Sequence, residues 1–307
     1  MSARAAQRVC PKPREIFQDR HMNILVIGDI VGAPGRRAVL EHLPALRAQL
    51  RLDLVIANVE NIADGAGVTP ENAEALLAAG VDLLTSGNHI WDKSEAFDYI
   101  ARQPRLLRPH NYPEGTPGRG WTVVEAANGC RVGVLNLLGN VYMHPHLDCP
   151  FRCADRVLGA KPSDLHVVLV DFHAEATSEK TALGWYLDGR VSAIVGTHTH
   201  IPTADERVLP RGTAYITDIG MCGCYDSVIG MDIQKSLRRF VHKLPARFDV
   251  AEGPGTLCAV LLDVDETSGR CRSIERLRRP AASADATVMP TAAAAADENP
   301  PRQRRLA

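Results

Sequence analysis

The chain has 307 residues, 45% of them hydrophobic, enough for one large α/β domain or two small ones with a sizeable core. Its 35 lysines and arginines nearly cancel its 36 aspartates and glutamates, for a formal net charge of -1. That balance argues against a protein that coats nucleic acid by bulk electrostatics, and leaves open a small phosphate-bearing ligand at a local site. No run approaches the roughly 18 apolar residues of a membrane-crossing helix. Residues 1–21 are basic at the start but lack the apolar stretch of a secretory signal. The expected compartment is the cytoplasm, with the working fold beginning at Met22 after a disordered leader.

From Met22 onward, short β-branched runs alternate with amphipathic helical stretches. Residues 23–28 read as a buried strand ending at Gly28-Asp29, and a helix follows from near Pro34 with apolar Val39, Leu40, Leu43, Leu46 and Leu50. Residues 53–60 form a second buried strand ending on an acid, and 70–80 a short helix closed by Gly80. Residues 81–89 read as a third strand running into a turn, with a helix over 92–103. Segments 121–126 and 131–137 flank Asn128-Gly129, a hairpin turn signal. Residues 166–173 and 191–200 are further buried strands, each ending in histidine, and 213–220, 256–265 and 270–279 complete the set. The spacing predicts one domain over 22–279 with its strands in more than one sheet, then an Ala-, Asp- and Pro-rich disordered tail over 280–307. The eight cysteines contain no C-x-x-C pair and read as free thiols in a reducing compartment; a zinc site on Cys222 and Cys224 or on Cys149 and Cys153 is the lesser alternative.

Chemistry-bearing residues recur where apolar strands end: Gly28-Asp29, Val59-Glu60-Asn61, Gly87-Asn88-His89, Phe172-His173 and Gly196-Thr197-His198-Thr199-His200. Strand C-termini are where open α/β sheets place ligands. Carboxylate, amide carbonyl and imidazole are the donors that suit iron, manganese or zinc. The five strand ends are expected to converge on one sheet edge. His198 and His200 are two apart, so in an extended segment both rings leave the same face, unless the strand-to-loop transition rotates one. Singly, each residue has a plainer reading: Asp29 as a loop acid or cap, Asn61 and Asn88 as turn residues, His173 as a hydrogen-bonded interior histidine. Their joint placement at successive strand ends favours a metal site.

The ordered set G-D, E-N, G-N-H, H and G-T-H-T-H resembles the calcineurin-like metallophosphoesterase superfamily, and more closely its YmdB-type branch. The stretches that carry the resemblance are 23–36, 55–67, 87–93, 108–118, 171–180, 196–223 and 230–232, spread over nearly all of 22–279. Two departures from the wider superfamily stand out. The usual D-x-H is here Asp29-Ile30-Val31, without its histidine, and the usual G-D-x-x-D-N is replaced by Glu60-Asn61; the YmdB-type branch shares both. The resemblance implies an α/β fold, a sandwich of two mixed β-sheets flanked by helices in four layers (α/β/β/α). It implies two transition-metal ions, iron foremost with manganese or zinc as alternatives. Asp29, Asn61 and His200 would hold one ion, Asn88, His173 and His198 the other, with Glu60 bridging.

The implied activity is hydrolysis of small phosphodiesters, 2',3'-cyclic nucleotides first among them. In such two-metal sites, ions roughly 3.5–4 Å apart clamp the phosphoryl group, and a bridging hydroxide attacks phosphorus. His89, next to Asn88, is the expected general acid for the leaving oxygen. A phosphatase or nuclease of the same superfamily is the runner-up, and a metal-bound regulatory module that senses a nucleotide is an alternative of another class. A dinucleotide-binding reading of Gly28, Gly32 and Gly35 fits poorly, because the spacing is not G-x-G-x-x-G. The expected partner is the substrate itself, with no membrane and no bulk nucleic-acid binding; a homo-oligomer is left open.

Overall fold

A computed structural model describes residues 21–281. The readings of a leader and of a tail lie outside these residues except at their edges. In chain order the elements are β1 His21–Ile27, β2 Asp29–Ile30, α1 Gly32–Gln49, β3 Leu54–Asn58, α2 Pro70–Ala78, β4 Leu83–Thr85, α3 Glu95–Arg102, β5 Trp121–Glu125 and β6 Arg131–Leu138. They continue with α4 Pro150–Ala160, β7 Val167–His173, α5 Thr177–Leu187, β8 Ala193–Thr197, β9 Arg207–Val208, β10 Ala214–Ile216, β11 Met221–Cys224, α6 Ile233–His242, β12 Gly255–Asp265 and β13 Cys271–Pro280.

The strands form two mixed sheets. The first has the order β2-β11-β12-β1-β3-β4, with β13 also on β12; the second runs β5-β6-β7-β8-β10-β9. Period-2 alternation explains how they stack. On β1, Ile24 and Val26 face the second sheet and join Val134, Leu169, Val195 and Ile216 in an apolar layer between the sheets. Leu25 and Ile27 face the other way, against Val39, Leu43 and Leu46 of α1 and Leu76 of α2. The far face of the second sheet, Val168, Val170 and Phe172 of β7, is covered by Cys153 and Ala154 of α4 and Leu183 and Leu187 of α5. The result is the expected α/β/β/α order. Both faces of β1, β3 and β7 are buried, as is usual for parallel strands and explains their largely apolar runs.

Parallel pairing sets the site's position. β1 pairs in parallel with β3, and β3 with β4; β6, β7, β8 and β10 run parallel in the second sheet. Each sheet therefore gathers its strand C-termini along one rim, and the two rims lie together. The dinucleotide reading fails on its own glycines. A Cβ on Gly28 would collide with the carbonyl of Gly220, and one on Gly35 with the carbonyl of Cys222. These glycines serve close backbone packing inside the fold, not the approach of a pyrophosphate.

Candidate metal centre

Local chain chemistry stops each strand where a site residue is needed. The β3 ladder ends at Asn58, whose side-chain oxygen accepts the Glu60 N–H at 3.1 Å. The loop beyond doubles back through Gly65 and Gly67 at φ +90° and +82°, and Asn61 donates Nδ2 to the Gly65 carbonyl at 3.0 Å. Strand β4 is three residues long, well short of the stretch expected over 81–89. Asn136 takes the Ser86 N–H at 3.1 Å and Ser86 Oγ bonds the Leu107 carbonyl at 2.7 Å, so the ladder ends and Gly87-Asn88-His89 turns inward. A Cβ on Gly87 would fall onto Glu60 Oε2 and the His173 ring. Only glycine fits there.

The expected residues meet, but not on one sheet's edge. Asp29, Glu60, Asn61 and Asn88 come from the first sheet's rim, His173, His198 and His200 from the second's. Around His173 Nε2 stand Glu60 Oε1 at 3.0 Å, Asn88 Oδ1 at 3.1 Å and His198 Nδ1 at 3.1 Å. Donors bound at about 2.0–2.2 Å to one ion lie about 3 Å apart, and Glu60 Oε1, Asn88 Oδ1 and His198 Nδ1 each stand at that distance from His173 Nε2. Glu60, His173 and His198 together could hold a metal ion.

The His173 tautomer is fixed from behind. Its Nδ1 lies 2.9 Å from Thr197 Oγ1, and that hydroxyl donates to Asp171 Oδ1 at 2.8 Å. With its one hydrogen engaged by Asp171, Thr197 accepts from Nδ1–H, which leaves the Nε2 lone pair facing the cavity, a common outer-sphere device at metal sites. Asp171 is held by Thr85 and by Asn58 Nδ2 at 3.1 Å. Without a cation, burial disfavours the charged ring of His173, yet Glu60 at its edge overrides this and pushes its pKa up to about 9. Burial likewise opposes ionisation of Glu60, and His173 overcomes it, lowering Glu60 to about 2. His198, partly buried and beside His173, falls to about 3. A proton on His173 therefore occupies a place where a cation fits.

On the other side Asp29 is fully buried; its Oδ2 accepts the His198 N–H at 3.1 Å while Oδ1 has no hydrogen-bond partner. Burial raises its carboxyl to about 6 against the pull of His173 and His200. Asn61 Oδ1 is also buried without a hydrogen bond, and Glu60 Oε1 makes none beyond its ion-pair contact with His173. Buried acceptors are rarely left so, because each costs roughly 1–3 kcal/mol. Three in one cavity form a set that cations would satisfy. His200 donates Nδ1–H to the Ile229 carbonyl at 2.8 Å, leaving its Nε2 lone pair free.

For His198 and His200 the strand-to-loop rotation, not the shared face of an extended segment, is what the backbone adopts. Strand β8 ends at Thr197, and both histidines take positive φ, +99° and +66°, which costs on the order of 1–3 kcal/mol for a non-glycine residue. The kink parts the rings: His198 faces His173, and His200 stands near Asp29. His89 sits at the rim. Its N–H donates to Glu60 Oε2 at 3.1 Å, while its half-exposed ring holds Nδ1 at 2.8 Å from Asp92 Oδ2. Sequence reading does not single out Asp171, Asp92, Lys180 or Asp218. For Asp171 a signal exists, since it interrupts an otherwise apolar strand; Lys180 is wholly buried in the first turns of α5, which nothing in its sequence context announces.

Comparison with known proteins bears on this geometry. A family model described as YmdB-like protein matches residues 25–277. A Bacillus subtilis (strain 168) protein named 2',3'-cyclic-nucleotide 2'-phosphodiesterase is 51% identical over 256 residues, covering 83% of this chain and 96% of its own length. Among solved structures, a Mycoplasma pneumoniae protein described as a novel phosphatase superposes with a TM-score of 0.81 at 34% identity, covering 86% of this chain and 95% of that one. A Thermus thermophilus protein described as hypothetical gives 0.80 at 44% identity, covering 85% of this chain and all of its own.

Proposed function

Because this chain belongs to the YmdB-like protein family, we propose that it is a metal-dependent phosphodiesterase of small phosphodiesters, with 2',3'-cyclic nucleotides as its substrate class. Asn88, His173 and His198 would hold one transition-metal ion and Asp29, Asn61 and His200 a second, with Glu60 available to both. The observation that carries this reading is the set of buried acceptors without hydrogen bonds, Asp29 Oδ1, Asn61 Oδ1 and Glu60 Oε1, beside the donors around His173 Nε2. The mixed oxygen and nitrogen donors suit iron, with manganese or zinc as alternatives. No helix among the described residues is long and apolar enough to cross a membrane, and the cytoplasm is the compartment we assign.

When bound, the cations supply Lewis acidity toward the phosphoryl oxygens and lower the pKa of the attacking water. The chain's residues do the rest. Asp171, through Thr197, keeps the hydrogen of His173 on Nδ1 and its lone pair on the cavity. The Glu60 carboxylate is oriented by the His89 N–H. His89 is the general acid: Asp92 fixes its ring through Nδ1, and in the protonated form Nε2–H is presented to the leaving ribose oxygen.

The test is metal analysis of the purified protein paired with a panel of 2',3'-cyclic nucleotides, 3',5'-cyclic nucleotides and aryl phosphodiesters. Two transition-metal ions per chain and preferred turnover of the 2',3'-cyclic compounds are expected, and Asp29→Ala lowers metal content and turnover together. Active protein free of transition metal would sink the reading.

A further inference from the structure

The turn that follows β8 sends two histidines to different parts of one cavity, through a backbone conformation that neither favours. What holds it lies outside the cavity. Thr199, between the two histidines, gives both its N–H and its hydroxyl to a single atom, Asp218 Oδ2, at 3.1 and 2.8 Å. The same oxygen receives Lys180 Nζ at 2.8 Å, and Asp218 Oδ1 accepts the Gly220 N–H at 2.8 Å. Lys180 also donates to the carbonyl of Thr197, the last residue of β8, at 2.8 Å. Lys180 is 1% exposed and Asp218 0%. The lysine side chain runs beneath Gly196, where an added Cβ would lie 3.2 Å from Lys180 Cδ.

A buried ion pair is weak evidence for stability, since apolar groups of the same volume often serve as well; its best-attested use is to specify one arrangement over others. The hydrogen bonds of this pair go to the turn or to the strand ends that frame it. We propose that Lys180 and Asp218 are positioning residues that lock the 197–200 turn, so that the His198 ring faces His173 while the His200 ring stands with Asp29. The pair thereby sets the relative occupancy of the two ion positions without touching either. This rests on reading the cavity as a two-metal centre.

The test is a Mn(II) titration of the chelator-stripped full chain, following free Mn(II) by its six-line EPR signal. The wild type is expected to take up two ions. Asp218→Asn and Lys180→Met each weaken uptake at one or both positions by roughly 10–100-fold, the size of effect that outer-sphere changes have on metal sites. Either of these variants can fail to fold, so Thr199→Val is included: it keeps the volume and the ion pair and removes only the hydroxyl bond. For it a weakening of about tenfold is expected, with the melting temperature of the stripped protein near that of stripped wild type. A purely structural role would lower that melting temperature and leave Mn(II) affinities alone. Wild-type affinities at both positions in Thr199→Val overturn the proposal. A wild-type chain that binds no Mn(II) overturns the metal reading itself, and this proposal with it.

Discussion

At the scale of single residues, His89 and His173 divide the work of imidazole by their surroundings. His173 is fully buried, with both ring nitrogens committed, one to Thr197 and one to the cavity. His89 holds Asp92 at the rim with its other nitrogen uncommitted among the described residues. Removal of His89 should therefore separate binding from turnover. His89→Ala is expected to keep both ions and to lose turnover by roughly 10²–10⁴-fold, the range of general acid catalysis; equal loss of metal, read by elemental analysis, would take the acid role away from it. That Asp29, Glu60, Asn61, Asn88, His89, His173, His198 and His200 stand at or just beyond strand ends is legible from residue type and position, while the roles given to them come from the family resemblance. Their second partners are less legible: Asp171 shows only as a polar break in an apolar strand, its role appearing when β7 lies beside β8, and Asp92 becomes visible only when the 87–93 turn closes.

At the scale of elements, strand ends carry more information than strand bodies. The sequence pattern finds β1, β3, β6, β7 and β12 from their apolar runs, and it finds the hairpin of β5 and β6 from Asn128-Gly129, with Gly129 at φ +84°. It overruns at 81–89 and 191–200, because side-chain hydrogen bonds to backbone groups and positive φ values leave no mark on hydrophobic periodicity. Helices α4, α5 and α6 go unread. In α5 the cause is specific: its buried face carries Glu179 and Lys180 as well as Leu183, and Gly184 packs under the Tyr215 ring, so no clean apolar stripe survives. The packing of α1 on β11 gives a direct test. Gly35→Ala puts a methyl group into the carbonyl of Cys222, and over-packing of this kind is expected to cost about 1–3 kcal/mol. Denaturant unfolding measures it, and an unchanged midpoint would mean that α1 can shift away from β11 freely.

At the scale of the molecule, periodicity predicts strands but not which sheet each joins, because partition depends on long-range pairing. That is why the sequence suggests one converging edge where two rims contribute. The proposed ligands come from both rims, so metal should bind the folded chain far better than the unfolded one; at a ligand concentration 100 times Kd the gain is about 2.7 kcal/mol. The sign of its pH dependence follows from the protons that a cation must displace. His173, raised to about 9, must give up its proton to accept a cation, so affinity rises with pH up to about 9. Below about 6 the proton on Asp29 competes as well, and the decline steepens. Melting temperatures with and without Mn(II) between about pH 5 and 9 should thus diverge as pH rises. A gap independent of pH would contradict proton displacement from these groups.

The glycine at position 87 has no room for even a methyl group between Glu60 and His173. An engineer seeking a new substrate for this scaffold gains nothing by enlarging position 87, where any added carbon evicts a donor. Altered preference has to be built into the surrounding loops, over chemistry that stays the same beneath them.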